Sequence, residues 1–227
     1  MKVIVTGATG FIGKQVVVQC IQNPTITSVI VLTRREIDKN LSSDPKVQVI
    51  IHQDFETYPQ ELLHQIQGSQ GCIWCLGGKV GDFPDLETAR KVGVDYTLAA
   101  ANAFVKGVCP GFQSQSQKFQ FVFCSGDGAE CDQDKSLWML SDTRKIKGSV
   151  ERGLLDIAEA NPNVFAATML RPGGVIPDDK EVLGTIGGLM MIPVVKVSQL
   201  AKALVRVCVE PPDARVVPNK EIRRLSA

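Results

Sequence analysis

The chain has 227 residues, 44% hydrophobic and 22% charged, a composition that fits one globular domain or one domain with a small appendage. Lys and Arg number 25 against 24 Asp and Glu, a net charge of +1, so the balance gives no support for binding nucleic acid or an acidic membrane. No stretch reaches the roughly 18 uninterrupted apolar residues of a membrane span. The apolar run in MKVIVTGATG is too short for a signal peptide, and seven scattered cysteines make no disulfide framework, so a soluble cytoplasmic protein is expected.

In chain order, Val3–Val5 is a short apolar strand, followed by a glycine-rich turn and a helix from Lys14 to Gln22 that Asn23-Pro24 stops. Strands are predicted at Ser28–Arg34 and Val47–Ile51, then a helix at Tyr58–Gln67 and a fourth strand in CIWCL. A long helix covers Glu87–Phe104, with Val92, Tyr96, Ala99 and Ala103 at helical spacing. Phe119–Ser125 is the fifth strand. Ser141 is placed to cap a helix that runs to about Ala160, and Val164–Gly173 is the sixth strand. A glycine-rich apolar loop, GTIGGLMMIP, follows; its 187–193 portion is either a mobile lid over an apolar ligand or a buried loop. The last clear helix is Ser198–Cys208, capped by Ser198; VVPNKEIRRL is too short to assign. Strands and helices alternate, and the strands are continuous apolar runs. That pattern predicts an α/β fold, a doubly wound parallel sheet of the Rossmann type. We expect a single domain over 1–227 with a small C-terminal substrate-side portion.

The turn VIVTGATGFIGK sets Gly7, Gly10 and Gly13 between the first strand and the first helix. Glycine allows the tight turn, lets a pyrophosphate approach the backbone, and lets the helix pack closely on the sheet. The helix N-terminus then offers free N–H groups and a positive dipole end to the anion. The expected contact set is Thr6, Gly7, Thr9, Gly10, Phe11, Ile12 and Gly13. Roughly 20 residues on, where an acid would receive the ribose of NAD, the sequence has Arg34 and Arg35, which suit the 2′-phosphate of NADP. NADP(H) is therefore favoured over NAD(H). Leu76, Gly77 and Gly78, ending the fourth strand, should line the middle of the cofactor.

The spacing is G-x-x-G-x-x-G. With TGATGFIG, the strand-two arginines, CLGG, VDYTLAAANA, the serine ending strand five, KGSVE and LRPG, the chain resembles the short-chain dehydrogenase/reductase superfamily. More narrowly, it resembles the atypical branch that holds NmrA-like and TIP-thirty (CC-three)-like proteins. The resemblance implies that Asp54 and Phe55 contact adenine and that Arg171, Pro172 and Gly173 lie beside the cofactor. It also maps the catalytic serine to Ser125, the lysine that holds the nicotinamide ribose to Lys147, and the proton-donating tyrosine to position 143, where this chain has Thr143. An aliphatic hydroxyl is a far weaker acid than a phenol, whose pKa is near 10. Tyr96, Asp127 and Asp142 are candidate replacements, each with a plainer role in helix packing, a turn or a helix first turn.

Cys72 and Cys75 form a C-x-x-C pair inside an apolar strand, where i and i+3 face opposite ways, and core packing is expected. Two distant histidines, His52 and His64, predict neither a metal site nor a triad. Two functions compete: an NADP-dependent oxidoreductase on a small apolar carbonyl or aromatic substrate, and a redox-sensing regulator that binds a protein partner. Non-redox tailoring chemistry on the same fold is a third. A homodimer is compatible with the fold.

Overall fold

The structure is a computed structural model, and residues 1–112, 117–180 and 193–226 are described. The strands are β1 (Lys2–Thr6), β2 (Ser28–Thr33), β3 (Val47–Ile51), β4 (Gly71–Trp74), β5 (Phe119–Cys124), β6 (Phe165–Arg171), β7 (Gly174–Ile176), β8 (Val194–Lys196) and β9 (Val216–Pro218). The helices are α1 (Phe11–Gln22), α2 (Lys39–Ser42), α3 (Gln60–Gln65), α4 (Leu86–Arg90), α5 (Tyr96–Gly107), α6 (Ser141–Ala160), α7 (Val197–Val209) and α8 (Asn219–Leu225).

Seven strands make one sheet in the order β3-β2-β1-β4-β5-β6-β9, every pair parallel. Sequence direction reverses between β1 and β4, so the crevice at their carboxyl ends is the switch point where such sheets bind ligands. Helices cover both faces. On one, α1 and α7 pack aliphatic side chains (Val16, Val17, Leu200, Leu204) over Val3, Val5, Ile73 and Val122. On the other, α3, α5 and α6 enclose an aromatic layer that includes Trp74, Phe104, Phe119, Phe121 and Phe165. The doubly wound parallel sheet expected from the apolar runs is the observed fold.

Three features depart from the sequence reading. VVPNKEIRRL supplies β9 and α8, with Val216 opposite Met169 and Pro218 opposite Arg171. Val194–Lys196, between the expected loop and the last helix, is β8, which pairs in parallel with β7. The rest of GTIGGLMMIP, read as either a lid or a buried loop, lies outside the described residues. The long helix at 87–104 is α4 and α5 joined by a π-helical turn, Lys91–Asp95. Gly93 sits in that turn where a Cβ would come 2.8 Å from Ile146 of α6, so the absence of a side chain lets the turn and α6 approach closely.

Both expected serine caps are replaced. The residue before α6 is Leu140, in the left-handed region at φ 52, and Ser141 is already helical. Ser198 lies inside α7, and Asp178 does the capping: its Oδ1 accepts from the Ser198 backbone N–H at 3.2 Å and from the Ser198 hydroxyl at 2.6 Å.

Candidate functional site

The crevice between β1 and β4 is built by glycine contact. Gly7 has φ 71, and a Cβ there would lie 2.5 Å from the Cys75 carbonyl oxygen. A Cβ on Gly13 would lie 2.2 Å from the Gly7 carbonyl oxygen. Both glycines are thus required by backbone closeness, one to the neighbouring strand and one to the turn itself. Gly10 differs: it is exposed, and its Cβ would meet only the Gly7 oxygen, at 3.2 Å. It is the residue a ligand could approach.

Gly10 is also the N-cap of α1. No side chain caps this end, and no acid stands in the first turn. The first-turn N–H groups of a helix have no partner within it, so this 12-residue helix offers donors and a positive dipole end to an anion from outside. Thr9, Gly10 and Phe11 are exposed, with Phe11 51% accessible. Thr6 is buried instead: its hydroxyl accepts from the Cys75 N–H at 3.2 Å and so ties β1 to the end of β4. Ile12 packs against the aliphatic core. A cradle of this shape, with uncapped amides and no competing carboxylate in the first turn, fits a dinucleotide pyrophosphate.

Arg34 and Arg35 follow β2 on the same rim and are exposed. Among the described residues neither makes an ion pair; the Arg34 carbonyl accepts from Gln53 Nε2 at 2.7 Å, which orders the backbone and leaves the guanidinium groups available. Asp54 is exposed, and its carboxylate accepts from the Glu56 N–H and the Thr57 hydroxyl, both at 2.9 Å. Those bonds hold its pKa below the usual aspartate range. The Phe55 ring is 1% exposed, edge-on to Trp74 and stacked on Tyr96, so no adenine can stack on it. Tyr96 is thereby explained by packing. His52 lies against Phe55 and Tyr58, and burial lowers its pKa. Among the described residues no group of three or more His, Cys, Asp and Glu could hold a metal.

The three expected catalytic residues come from the end of β5 and the start of α6. Lys147 Nζ donates to the Cys124 carbonyl at 3.1 Å and stands 4.9 Å above the Phe123 ring. Desolvation lowers its pKa. The ammonium is 3.7 Å from where a Gly77 Cβ would be, so Leu76–Gly78 and Lys147 share one wall of the crevice. Thr143 has a different occupation: its Oγ1 accepts from the Val80 N–H at 3.0 Å and anchors the turn Val80–Asp82. Asp142 and Asp127 are exposed.

Ser125 is 6% exposed, and its hydroxyl donates to Glu151 Oε1 at 2.5 Å. Its single proton is committed there, so in this arrangement it has none to donate to a substrate oxygen. Glu151, 1% exposed, also takes the Arg171 guanidinium: Arg171 Nε donates at 3.0 Å to one carboxylate oxygen, and Nη2 donates to the other. Lys147 and Glu151 stand four residues apart in α6, the spacing of an i, i+4 ion pair. The helix instead turns Lys147 toward the crevice and Glu151 under β5 and β6. Arg171, expected beside the cofactor, is the partner of a buried carboxylate. Pro172 is buried, its carbonyl accepting from the Asp127 N–H at 2.7 Å, and the Gly173 N–H donates to Asn219 Oδ1 at 2.9 Å. Beyond the ends of β5 and β9, Asp127, Pro193, Pro218, Asn219, Lys220 and Arg223 line a cavity of about 490 Å³.

Residues 3–101 match the NAD dependent epimerase/dehydratase family. A curated relative, Leucinostatins biosynthesis cluster protein T of Purpureocillium lilacinum, is 27% identical over 161 residues, 69% of this chain and 52% of that protein. The chain thus spans about half the length of the curated relative it matches. Among solved structures, Gre2 of Candida albicans in complex with NADPH superposes with a TM-score of 0.71 at 21% identity, over 96% of this chain and 77% of that one. MoeE5 in complex with UDP-glucose and NAD gives 0.70 at 18% identity, over 96% and 75%. UDP-glucose 4-epimerase of Thermotoga maritima gives 0.69 at 19% identity, over 96% and 76%. These likenesses establish the Rossmann-like fold. Among the described residues no helix is long and apolar enough to cross a membrane.

Proposed function

We propose that this chain binds a nicotinamide dinucleotide in the crevice between β1 and β4, prefers NADP(H), and acts as an oxidoreductase on a small, largely apolar carbonyl or aromatic substrate. The observation that carries the reading is the glycine cradle, where Gly7 and Gly13 are fixed by contact and Gly10 is left open at an uncapped helix end. Bound NADP(H) would supply or accept hydride. The chain's own residues would seat the diphosphate on the α1 amides, meet the 2′-phosphate with Arg34 and Arg35, and hold the nicotinamide ribose with Lys147. The match of residues 3–101 to an NAD-dependent family supports cofactor use. The likeness to a biosynthesis-cluster protein supports a tailoring role.

Cofactor preference is testable at the rim. Arg34→Ala with Arg35→Ala should weaken NADPH binding by about tenfold or more, since charge-assisted hydrogen bonds contribute roughly 1.5–3 kcal/mol each, and leave NADH binding unchanged. Calorimetric titration with both cofactors reads this directly. Equal losses for both, or none, would remove the 2′-phosphate assignment.

A second reading, an NADP(H)-binding regulator that contacts another protein, is favoured by two geometries: Thr143 is occupied with Val80, and the Ser125 proton is occupied with Glu151. Thr143→Tyr separates the readings. If hydride chemistry runs here and only the acid is weak, the variant should raise carbonyl-dependent NADPH oxidation above wild type. The gain should stay below the about 10²–10⁴-fold of an optimally placed acid, because the Val80 anchor is lost. Tight NADPH binding with no turnover in wild type or variant would favour the regulator.

A further inference from the structure

The cavity beyond the ends of β5 and β9 has an uneven lining. Asp127 stands on the β5 side, Asn219, Lys220 and Arg223 come from α8, and Pro193 and Pro218 give apolar wall. The cavity lies on the carboxyl-end side of the sheet, the side on which doubly wound folds bind ligands. Asp127 follows Ser125 by two residues, so the cavity adjoins the end of β5, where Lys147 meets the Cys124 carbonyl. Its floor is fixed by backbone contact. The Gly174 N–H donates to the Pro193 carbonyl at 2.9 Å, and a Cβ on Gly173 would stand 1.8 Å from the same oxygen. Asn219 is 5% exposed, and its Oδ1 accepts from the Gly173 N–H at 2.9 Å. That bond settles which end of the amide is which: the oxygen is turned to the strand end, and the two Nδ2 donors are left over. Among the described residues Nδ2 has no protein partner, and it is not sealed from solvent.

The charges around the cavity do not balance. Glu221, the one acid of α8, is held by Arg224, whose Nη2 donates to it at 2.6 Å. Lys220 and Arg223, three residues apart on the same helix, make no ion pair among the described residues. Asp127 is the single carboxylate of the lining, and its charge acts on Arg171. Two cations and a buried amide donor therefore share a space of about 490 Å³ with one acid, a volume in the usual range for small-molecule sites.

We propose that this cavity binds an organic carboxylate with an apolar body, and that the carboxylate is the end by which the substrate is held while its reactive carbon lies toward Ser125 and Lys147. Arg223 presents a planar fork that matches a carboxylate, Lys220 adds a second charge, and the Asn219 amide donates from the wall. Pro193 and Pro218 meet the apolar body. Asp127 repels an anion from the β5 side, so the ligand has one favourable end-to-end orientation. Lys220 and Arg223 are exposed, so the attraction should weaken with salt. The orientation half rests on the dinucleotide reading of the crevice; the carboxylate site itself does not.

The test titrates the full chain with 3-phenylpropanoate and with 3-phenylpropanamide, which share one apolar body, by calorimetry with and without NADP⁺. The acid is expected to bind about tenfold or more tightly, the level of a charge-assisted hydrogen bond, and to lose that margin in high salt. Lys220→Ala with Arg223→Ala should bring the two probes level, and Arg223→Glu should favour the amide; both positions are exposed, so both proteins should fold. Equal binding of acid and amide to the unaltered chain, or a margin that survives the double replacement, overturns the carboxylate site. The orientation is read with NADPH and a second pair, phenylpyruvate and its amide, the keto carbon taking hydride from NADPH and its oxygen a proton from water. The acid should be reduced with the lower KM, and the double replacement should raise that KM with little change in kcat. Acid binding without that advantage, or without any reduction, overturns the orientation and upholds the site. A chain that binds the acid but no NADPH upholds the site and removes the cofactor reading.

Discussion

Replacing Gly13 with alanine is expected to abolish NADPH binding and to lower the unfolding free energy by about 1–3 kcal/mol, the usual cost of forcing atoms into a packed site. The added carbon would stand 2.2 Å from the Gly7 carbonyl oxygen, a backbone atom that cannot step aside without moving the turn. Moving the turn takes the α1 amides away from whatever they hold. Gly10→Ala is the informative companion. Its carbon meets only one atom, at 3.2 Å, so it should fold with near wild-type stability and lose affinity only through contact with the ligand. Urea unfolding and NADPH titration of the two variants separate the effects. A Gly13→Ala protein that binds NADPH like wild type would remove the cradle from the account.

Arg171→Met should cost about 3–5 kcal/mol of stability, the range for stranding one member of a buried ion pair. The asymmetry of burial sets the direction: Glu151 has a side chain 1% exposed and Arg171 one 27% exposed, so the carboxylate is the member that cannot find water. Glu151→Gln should cost less, because the amide oxygen still accepts from Ser125 or Arg171. Joining Arg171→Met to Glu151→Leu should recover much of the loss. Denaturant midpoints for the three proteins give the comparison, and a cost for Arg171→Met under about 1 kcal/mol, the level of an exposed pair, would show that Glu151 is not isolated from solvent.

The fold was readable because a parallel sheet covered on both faces needs apolar strands throughout. Runs such as SVIVL and FQFVF leave little alternative once helices separate them. Three-residue strands carry no comparable signal. β7, β8 and β9 are defined by partners distant in the chain, and Val216–Pro218 reads as strand only when Met169–Arg171 is beside it. The crevice was legible from the glycines, since the need for them is local. The wiring behind Ser125 was not. Lys147 and Glu151 lie one helical turn apart, yet an i, i+4 rule is silent about a third element, and β6 supplies Arg171 as the partner of Glu151. The cysteine spacing was legible for the opposite reason: i and i+3 on a strand face opposite ways, and Cys72 lies in the aromatic core while Cys75 packs against the aliphatic one.

Because every strand of the main sheet pairs in parallel, no ladder can be closed by a hairpin. Val3 must wait for Gly71, and Phe119 for Phe165. Topologies of this kind acquire their structure slowly and leave apolar segments open in the meantime. The crevice, lying between β1 and β4, cannot exist until that long-range pairing is made. A nascent chain therefore lacks the proposed pyrophosphate seat until the sheet's centre is assembled, and a dinucleotide that recognises only the finished crevice should trap the native form and raise the yield of refolding.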